Sequence, residues 1–372
     1  MVRVLLGDEM TSFEVAVTGP WRLTGPAGDV ASGANLSWTT VAICDGEMFF
    51  GDQPRPAGPL ELQPEQPGTF WIRRDVGGQS RERSYRGVLR ILPTSTPALR
   101  AINVLPMEAY LAGVLANELP KPWNAETYKA QAVAARTYAL NERNQRTRYD
   151  FDVHDSTQSQ VYGGAGTETA KSWSAVTATW GIVATCAGPG DKPTLLKTYY
   201  HSTCGGITVP AGSVFGGPTP PPLAGGVPCN YCRRSPKYQW SGVVLLKQDI
   251  GDALRRSGVT ALVQLGPVQA LEVAATTGPG GRAGQIRVVD TAGASVLVQA
   301  AYWRSLVGAA RIPSTWFEVE DQPDRIVLTN GRGYGHGVGL CQWGAEYLAE
   351  RGKTGEEILR YYYPGVQLTR AY

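Results

Sequence analysis

Short apolar stretches alternate with clusters of Gly, Pro and Asp through the first 95 residues, a pattern typical of β-strands joined by turns. The stretches that predict strands lie at residues 2–6, 13–17, 41–43, 70–72 and 85–92. Residues 53–68 contain five prolines and predict a surface loop. The region has no His and one cysteine, Cys44, so we expect no catalytic chemistry in it. Residues 1–95 are therefore predicted to form a β-rich N-terminal subdomain.

Helical periodicity begins near residue 104. Pro106 suits the first turn of a helix that runs through Glu118, and Pro120 ends it. One face of this helix is apolar and consists of Tyr110, Leu111, Val114, Leu115 and Leu119. A second helix is predicted over residues 124–144, with Asn124 as its N-cap. Its packing face consists of Tyr128, Ala132, Ala135 and Ala139.

Beyond these two helices the pattern mixes both kinds of element. Residues 150–235 predict turns and short strands, one of them at 180–185. Within the segment 240–325, helices are predicted at 243–257 and 300–308, and strands at 268–274, 285–289 and 295–298. A glycine-rich turn at 331–337 precedes helices at 342–351 and 355–362. The prediction is an α+β fold with a β-rich subdomain, followed at residues 96–372 by a mixed α/β catalytic domain.

Composition narrows the class of protein. The 372 residues are 42% hydrophobic, which is enough for a core, and the formal charge of +3 gives no reason to expect nucleic acid as a partner. The 34 aromatic residues (10 Trp, 17 Tyr, 7 Phe) favour surfaces that stack on planar or sugar ligands. No apolar stretch approaches the ~18 residues needed to cross a bilayer, and residues 1–10 do not predict a signal peptide.

Glu118 is the first candidate for catalysis. The negative end of the helix dipole and partial burial both disfavour the ionised form of a carboxyl group, as a general acid at neutral pH requires. The alternative is an ordinary solvated glutamate at a helix end.

Two neighbouring segments add polar candidates. Gln131, Ala135 and Tyr138 share one stripe of the second helix, whereas Arg136 points elsewhere and is expected to pair with a carboxylate. The loop FDVHDSTQSQVYGG offers Asp155, Gln160 and Tyr162 to a polar groove and His154 as a stray metal ligand. The alternative for the helix is an ordinary Ala-rich packing helix without a functional role. The alternative for FDVHDSTQSQVYGG is an ordinary loop.

Cysteine spacing predicts a metal site. His201-x2-Cys204 is followed by Cys229-x2-Cys232, and two such pairs are the spacing of a tetrahedral structural zinc site. The alternatives are a disulfide from Cys204 to one of the other two, or unrelated buried thiols. The remaining cysteines, Cys44, Cys186 and Cys341, are expected to be packed apolar thiols.

The glycine-rich stretch GRGYGHGVGLCQWGA carries His336 and Gln342, which are natural hydrogen-bond partners for a polyol. Alternate glycines would let the backbone approach a ligand closely. The stretch lacks the ending of a phosphate loop and the context of a dinucleotide site. A histidine that serves only the turn itself is the alternative.

Several motifs follow one another in a recognisable order: VLPMEAYLAGVLANELPKPWNAETYKAQAVAARTYAL, DSTQSQVYGG, YYHSTCGG, and GRGYGHGVGLCQWGAEYLAERGKTGEEILRYYYPG. This order, over about residues 100–372, resembles the SpoIID/LytB family of stage II sporulation protein D and amidase-enhancer relatives. The resemblance implies a lytic transglycosylase with a glycan-binding groove, which cleaves the MurNAc–GlcNAc bond of peptidoglycan and leaves 1,6-anhydro-MurNAc ends. It implies glycan strands stripped of stem peptides as substrate, a cell-wall amidase as a further partner and a location in the cell envelope or outside the cell.

The resemblance also implies roles for single residues. Glu118 matches the family's catalytic glutamate and would act as the only acid and base. The positions that match the family's groove are substrate-binding or supporting candidates: Gln131, Arg136, Tyr138, Gln160, Tyr162, Ser202, His336 and Gln342. Some members have a Cys/His metal-binding loop where this chain has Gln158 and Ser159, so the quartet His201, Cys204, Cys229 and Cys232 is the expected zinc site instead. No organic cofactor is expected.

Two other functions stay open on the sequence alone. One is a non-catalytic cell-wall protein that binds glycan and enhances an N-acetylmuramoyl-L-alanine amidase. The other is a hydrolase that uses Glu118 together with Asp155, because hydrolysis calls for two carboxylates. The products would separate the three, since only the transglycosylase makes anhydro ends.

Overall fold

The computed structural model describes residues 1–55, 58–188, 190 and 192–372, and its mixture of helices and strands confirms the α+β class. The chain divides into two compact units. Unit 1 comprises Met1–Val183 and Arg370–Tyr372, and unit 2 comprises Ala184–Thr369. The domain boundary at residue 95 stays a prediction.

Unit 1 contains two sheets in its described residues, with the strand orders β13-β1-β12-β11-β8-β3-β4 and β10-β9-β2-β5-β6-β7. The strands are β1 (Val2–Met10), β2 (Ser12–Val17), β3 (Trp21–Gly25), β4 (Gly28–Gly33), β5 (Leu36–Cys44), β6 (Glu47–Phe50), β7 (Gln53–Arg55), β8 (Leu60–Pro64), β9 (Phe70–Asp75), β10 (Ser80–Tyr85), β11 (Val88–Pro93), β12 (Leu99–Leu105) and β13 (Val153–His154).

The register of the larger sheet places β1 next to β13, which leads into the loop that contains Asp155, Gln160 and Tyr162. Val4 in β1 pairs with Asn103 in antiparallel β12 and with Val153 in parallel β13. Leu89 in β11 lies opposite Asn103 on the other side of β12, and all of these side chains are fully buried. The sheet therefore fixes where the loop after β13 begins.

The prediction of a surface loop at residues 53–68 is wrong in part. Strands β7 and β8 lie within it, and residues 56 and 57 are outside the described part of the chain. Leu60 and Leu62 alternate with more exposed neighbours and are fully buried, so β8 belongs to the core despite the prolines around it.

Helices α1 (Met107–Glu118) and α2 (Ala125–Gln145) confirm the two predicted adjacent helices. Asn124 caps α2 as predicted, because its side chain accepts a hydrogen bond from the N–H of Glu126 (2.9 Å). Residues 107–115 of α1 are all buried. Helix α1 packs against α2 and against a third helix, α3 (Ala170–Ala178).

Helix α3 lies in the stretch 150–235, for which turns and short strands were predicted. Its start is fixed by a capping box: the Thr169 side chain accepts from the N–H of Ser172, and the Ser172 hydroxyl accepts from the N–H of Thr169 (both 3.0 Å). Residues 189 and 191 of that stretch lie outside the described part.

In unit 2 short strands and helices surround a second core. Its strands are β14 (Ile182–Ala187), β15 (Pro193–Leu195), β16 (Tyr200–His201), β17 (Gln239–Trp240), β18 (Val243–Leu246), β19 (Val268–Thr277), β20 (Arg282–Asp290), β21 (Ser295–Gln299), β22 (Glu318–Asp321), β23 (Arg325–Thr329), β24 (Gly331–Arg332), β25 (Leu340–Cys341) and β26 (Gln367–Arg370). The first two residues of β14 and the last residue of β26 belong to unit 1. Its helices are α4 (Ala211–Phe215), α5 (Lys247–Arg255), α6 (Thr260–Val263), α7 (Ala300–Val307), α8 (Gln342–Glu350) and α9 (Gly355–Tyr362).

Helix α4 lies in the stretch 150–235, for which turns and short strands were predicted. The other predicted elements of this unit are confirmed except at residues 243–257. There the prediction of one helix is wrong for the first four residues, which form β18 and pair with β23 (Val243 opposite Leu328). The sheets β18-β23-β22 and β19-β20-β21 pack with α5 and α7 around Trp303, which is fully buried. Among the described residues, no helix is long and apolar enough to span a membrane.

Candidate functional site

Glu118 is the last residue of α1, and Leu119 leaves the helical conformation directly after it. Glu118 is half-buried, and its Oε1 accepts a hydrogen bond from the N–H of Val161 (2.8 Å). The helix C-terminus disfavours a negative charge, whereas the donated N–H favours it. One carboxyl oxygen is thus held by a backbone donor at the point where the helix ends.

The loop 155–163 supplies that N–H and is tied to α1. The N–H of Gly163 donates to the carbonyl of Gly113 in α1 (3.5 Å), and the N–H of Tyr162 donates to the carbonyl of Asp155 (3.2 Å). A Cβ on Gly113 would lie 2.7 Å from the Tyr162 ring, so a glycine is required for this approach. The position of the Val161 N–H is thereby fixed relative to the helix end.

Behind the carboxyl group lies a layer of buried hydrogen bonds. The fully buried Gln160 accepts from the hydroxyl of Tyr110 (3.0 Å) and donates to the carbonyl of Ala135 (3.3 Å). The hydroxyl of Tyr162 donates to Oδ1 of Asn103 (3.0 Å). Burial raises the pKa of the Tyr110 and Tyr162 phenols well above the usual range, so both remain protonated donors.

Gln131, Ala135 and Tyr138 are all buried and lie on the predicted stripe of α2. Neither amide atom of Gln131 has a hydrogen-bond partner among the described residues. A buried polar group without a partner costs about 1–3 kcal/mol. Packing alone therefore does not explain an amide at this position.

Arg136 is fully buried and forms two hydrogen bonds with Glu108 of α1, from Nε to Oε1 (2.8 Å) and from Nη2 to Oε2 (2.6 Å). The prediction that Arg136 pairs with a carboxylate is confirmed. Nη1 donates to the carbonyl of Ile182 (3.1 Å), and the hydroxyl of Tyr372 donates to Glu108. Because nothing of Arg136 is exposed, its environment supports a role in holding α1 against α2 rather than direct contact with substrate.

The start of the same loop is held by arginines. Oδ2 of Asp155 accepts from Nη2 of Arg74 (2.7 Å), and Arg83 lies 3.9 Å away. Burial raises the pKa of Asp155, although both guanidinium groups lower it. Burial and the charge of Arg146 lower the pKa of His154. The carboxylate proposed as a second hydrolytic group is thus engaged in an ion pair.

In unit 2, His336 holds the glycine-rich turn. Its Nδ1 accepts from the N–H of Val338 (3.0 Å), so the proton of the neutral ring is on Nε2, which donates to the carbonyl of Tyr200 (2.8 Å). Burial, then the neighbouring His201, lowers the pKa of His336 well below its usual value. Both ring nitrogens are bound to backbone atoms, which fits the alternative of a histidine that serves the turn.

The glycines of this turn contact the chain itself. Gly337 and Gly339 have φ angles of 83° and 69°. A Cβ would lie 2.8 Å from the Arg282 guanidinium carbon at Gly337 and 2.2 Å from the Tyr199 carbonyl oxygen at Gly339. The sequence predicted that these glycines admit a ligand, whereas in the structure they admit neighbouring parts of the protein.

Ser202 and Gln342 lie on paired segments. β16 and β25 are parallel, with His201 opposite Cys341, and the carbonyl of Ser202 accepts from the N–H of Trp343 (3.1 Å). The hydroxyl of half-buried Ser202 lies 3.3 Å from that of Thr203. Gln342, the first residue of α8, is buried.

Four fully buried cysteines bring their Sγ atoms within 4.8 Å of one another: Cys204, Cys229, Cys232 and Cys341. His201, predicted as a ligand with three of these cysteines, lies outside this group, and Cys341, expected to be a packed thiol, lies within it. Which residues bind a metal stays a prediction. The Nδ1 of His201 instead donates to the carbonyl of Val338 (3.0 Å), and burial lowers the pKa of His201 to about 3. Hydrogen bonds from the other three thiols lower the pKa of Cys232, whereas burial raises the pKa of Cys204 and Cys341.

The predicted site residues thus fall into two groups. Unit 1 holds Glu118 with Gln131, Arg136, Tyr138, Gln160 and Tyr162, and unit 2 holds Ser202, His336, Gln342 and the cysteines. Within unit 1 the structure joins the residues of α1, α2 and the loop 155–163 into one hydrogen-bonded assembly.

Comparisons with known proteins bear on this assembly. A family model described as Stage II sporulation protein (SpoIID) matches residues 95–186, the part of the chain that contains Glu118 and its surroundings. A model described as a domain of unknown function (DUF8618) matches residues 232–339.

Among curated proteins, an uncharacterized protein of Brachyspira hyodysenteriae is 33% identical over 99% of this chain and 92% of its own length. The Stage II sporulation protein D of Bacillus subtilis is 28% identical over 76% of this chain and 81% of its own. The Amidase enhancer of the same organism is 29% identical over 70% of this chain, but the match spans only 40% of that relative. The chain belongs to the SpoIID family, as the order of its motifs indicated.

Sequence reasoning missed three features of the site. Glu108 could have been found, since it is a charge on an otherwise apolar helix, just as Arg136 is on an alanine-rich one. Cys341 has no x2 partner in sequence, and its place in the cysteine group comes from strand pairing. The Val161 N–H has no signal in the sequence, because any residue except proline supplies one.

Proposed function

We propose that the protein is a peptidoglycan lytic transglycosylase that cleaves the MurNAc–GlcNAc bond of glycan strands stripped of their stem peptides. The products are strands with 1,6-anhydro-MurNAc ends. The observation that carries the proposal is the half-buried carboxyl group of Glu118 at the end of α1, bound by the Val161 N–H, in a chain of the SpoIID family.

In this mechanism Glu118 is the only acid and base. Its carboxyl proton passes to the glycosidic oxygen as the bond to the anomeric carbon breaks. The carboxylate then takes the proton of the muramic 6-hydroxyl, whose oxygen bonds to the anomeric carbon and closes the anhydro ring. Glu118 returns to its protonated form and no water is consumed. One carboxyl group suffices, whereas most hydrolytic glycosidases use two.

The neighbours of Glu118 support such a cycle. The Val161 N–H would stabilise the carboxylate between the two proton transfers, since hydrogen bonds to a charged acceptor are the stronger ones. The buried layer of Gln160, Tyr110 and Tyr162 would keep the loop and the helix end in register, and positioning of reacting groups contributes strongly to rate. The second carboxylate considered above, Asp155, is engaged with Arg74.

Roles for the remaining candidates belong to the same proposal. We keep Gln131, Tyr138, Ser202 and Gln342 as candidates for binding glycan. A supporting role is proposed for the residues whose polar groups are engaged within the protein: Arg136, Gln160, Tyr162 and His336.

Family membership supports the proposed partners and location, and cysteine spacing supports the proposed cofactor. A cell-wall amidase that removes stem peptides would act before this enzyme, and the cell envelope or the extracellular space is the expected location. One structural zinc is proposed as the only cofactor, and its ligands are argued below.

The test is analysis of products by mass spectrometry after digestion of amidase-treated peptidoglycan. Wild-type protein and Glu61→Gln are expected to give anhydro ends, and Glu118→Gln is not. Glu61 is a matched control because it is a glutamate of unit 1 whose ion pair with Arg90 lies on the sheet, at 40% side-chain exposure. Anhydro ends from Glu118→Gln would overturn the assignment of Glu118.

A second function is favoured by one observation, the similarity to a protein named Amidase enhancer. Here the chain would bind glycan without cleaving it and would stimulate an N-acetylmuramoyl-L-alanine amidase. Glycan binding and amidase stimulation that both survive Glu118→Gln, with no anhydro products from the wild type, would establish this function in place of the first.

A further inference from the structure

The four-cysteine group has the dimensions of a metal site. Zn–S bonds of about 2.3 Å place the sulfurs of a tetrahedral site about 3.8 Å apart. Here all four Sγ atoms lie within 4.8 Å of one another, and those of Cys204 and Cys232 are separated by 3.5 Å. Small adjustments of side chains would bring the sulfurs to zinc distances.

Hydrogen bonds are already aimed at the sulfurs. The N–H of Gly206 donates to Sγ of Cys204, and the N–H of Cys204 donates to Sγ of Cys341 (both 3.3 Å). The Tyr362 hydroxyl lies 3.1 Å from Sγ of Cys229. Donors of this kind orient the ligands of metal sites and stabilise thiolate charge.

Helix α8 leaves room for the group. Gly344 follows Cys341 by three residues, and a Cβ on it would lie 2.6 Å from Sγ of Cys229. The first turn of α8 thus faces the sulfurs with a residue that has no side chain.

A buried charge next to the group supplies an independent observation. Arg282 is fully buried, and among the described residues its Nε has no hydrogen-bond partner and no carboxylate forms an ion pair with it. Its Nη2 donates to the carbonyl of Cys204 (2.7 Å) and its Nη1 to that of Gly335 (3.2 Å). A buried guanidinium remains charged and is costly without a counter-charge. Thiolates at the cysteine group would supply one.

We propose that Cys204, Cys229, Cys232 and Cys341 bind one zinc ion, and that Arg282 offsets part of the negative charge of this four-thiolate site. With four protein ligands the site is closed and structural. It joins three segments: the stretch after β16 that contains Cys204, the 3-10 helix Asn230–Arg234 with Cys229 directly before it, and strand β25, whose Cys341 directly precedes α8. Because Cys341 directly precedes Gln342, the metal would also fix the segment that carries this glycan-binding candidate.

This inference deepens the zinc part of the proposed function and is independent of glycan cleavage. Metal analysis of the purified full chain should find about one zinc per chain. Modification of the wild-type thiols with an organomercurial should release that zinc in step with loss of the thiols. This readout needs no variant and no activity.

Three variants identify the ligands. Cys341→Ser should lose most of the zinc, whereas His201→Asn should retain it, because His201 lies outside the sulfur group. Cys186→Ser is the matched control, since Cys186 is buried but contacts Thr194 instead of the other sulfurs. Cobalt in place of zinc should give the absorption of a tetrahedral thiolate site in the wild type.

Three results would overturn the inference. They are wild-type protein without bound metal, iron in place of zinc, and disulfides among these four cysteines in the peptide map. Loss of zinc from His201→Asn with retention in Cys341→Ser would restore the ligand set predicted from spacing. None of these results depends on whether the protein cleaves glycan.

Discussion

The Glu118 region of unit 1 and the glycine-rich region of unit 2 use their polar side chains in opposite ways. In unit 1 the layer around Glu118 is buried and hydrogen-bonded, and it holds a carboxyl group that is itself only half-buried. In unit 2 each of the two histidines has one ring nitrogen bound to a backbone carbonyl, and Nδ1 of His336 accepts from a backbone N–H. Both Glu118 and His336 are half-buried, but both ring nitrogens of His336 are bound to backbone atoms, so the rarity of a residue in a glycine-rich turn is by itself no guide to chemistry.

The largest effect is expected at Glu118. Glu118→Gln should lower the rate of anhydro-end formation by about 10²–10⁴-fold, the usual contribution of a positioned acid or base. Its free energy of unfolding should change by less than about 0.5 kcal/mol, because the side chain is half-buried and the amide oxygen can still accept from Val161. Rates on peptide-free glycan and urea denaturation measure the two quantities. If Glu118→Gln lost stability as well as rate, the lower rate could be explained by damage to the fold. Glu118 would then no longer differ from a residue that only supports the structure.

Arg136 should show the reverse behaviour. Arg136→Met leaves the Glu108 carboxylate buried without its partner, which should cost about 3–5 kcal/mol of unfolding free energy. The double variant Glu108→Leu/Arg136→Met should recover much of that loss, since two apolar groups replace the ion pair. Denaturation curves of the three proteins provide the measurement. If Arg136→Met were as stable as the wild type, the ion pair between Arg136 and Glu108 would not be what holds α1 and α2 together.

Because the pKa of His336 is lowered in the folded protein, we expect the stability of the protein to depend on pH. The pKa of His336 in the folded protein lies well below the ordinary 6.5, because of burial and of His201 beside it. Below pH 6.5 the unfolded chain therefore takes up a proton that the folded chain excludes, and stability falls as the pH falls. The slope should be steeper in wild-type protein than in His336→Asn, by up to about 1.4 kcal/mol per pH unit. Parallel curves for the two proteins would mean that the ring is accessible to protons.

The smallest effect is expected at Tyr162. Tyr162→Phe removes the donor to Asn103 and leaves a buried acceptor unpaired, which should cost about 1–2 kcal/mol. Tyr149→Phe is the control, because Tyr149 is 60% exposed and should change stability by less than about 0.5 kcal/mol. Thermal denaturation of both variants compares them. A loss of activity in Tyr162→Phe without a loss of stability would move Tyr162 from support to direct contact with substrate.

Periodicity and capping predicted the longer helices and part of the strands, whereas short elements such as β3, β4, β6 and helix α3 were not predicted. The helices that contain Glu118 and Gln131 follow from apolar spacing, a terminal proline and the Asn124 cap, all of which are local properties of the chain. The loop predicted at residues 53–68 is wrong in part because its prolines suggested a loop throughout, whereas burial of Leu60 and Leu62 in a sheet is decided by distant strands.

The sequence predicted the candidate site in part. The position of Glu118 at a helix end was visible in the sequence, as was the pairing of Arg136 with a carboxylate. Cys341 was missed because sequence spacing shows only residues that come from the same turn, while β16 and β25 bring Cys341 beside Cys204. The position of Arg282 beside Cys204 and Gly335 could not be predicted from the sequence, because it depends on contacts among segments far apart in the chain.

The most direct test of the central proposal is the mass of the glycan ends released from peptide-free peptidoglycan by the wild-type protein. We expect ends lighter by one water than those of hydrolysis, formed by the wild type and by Glu61→Gln but not by Glu118→Gln. Reducing ends that carry the added water, or anhydro ends produced equally by Glu118→Gln, would contradict a transglycosylase in which Glu118 is the single acid and base.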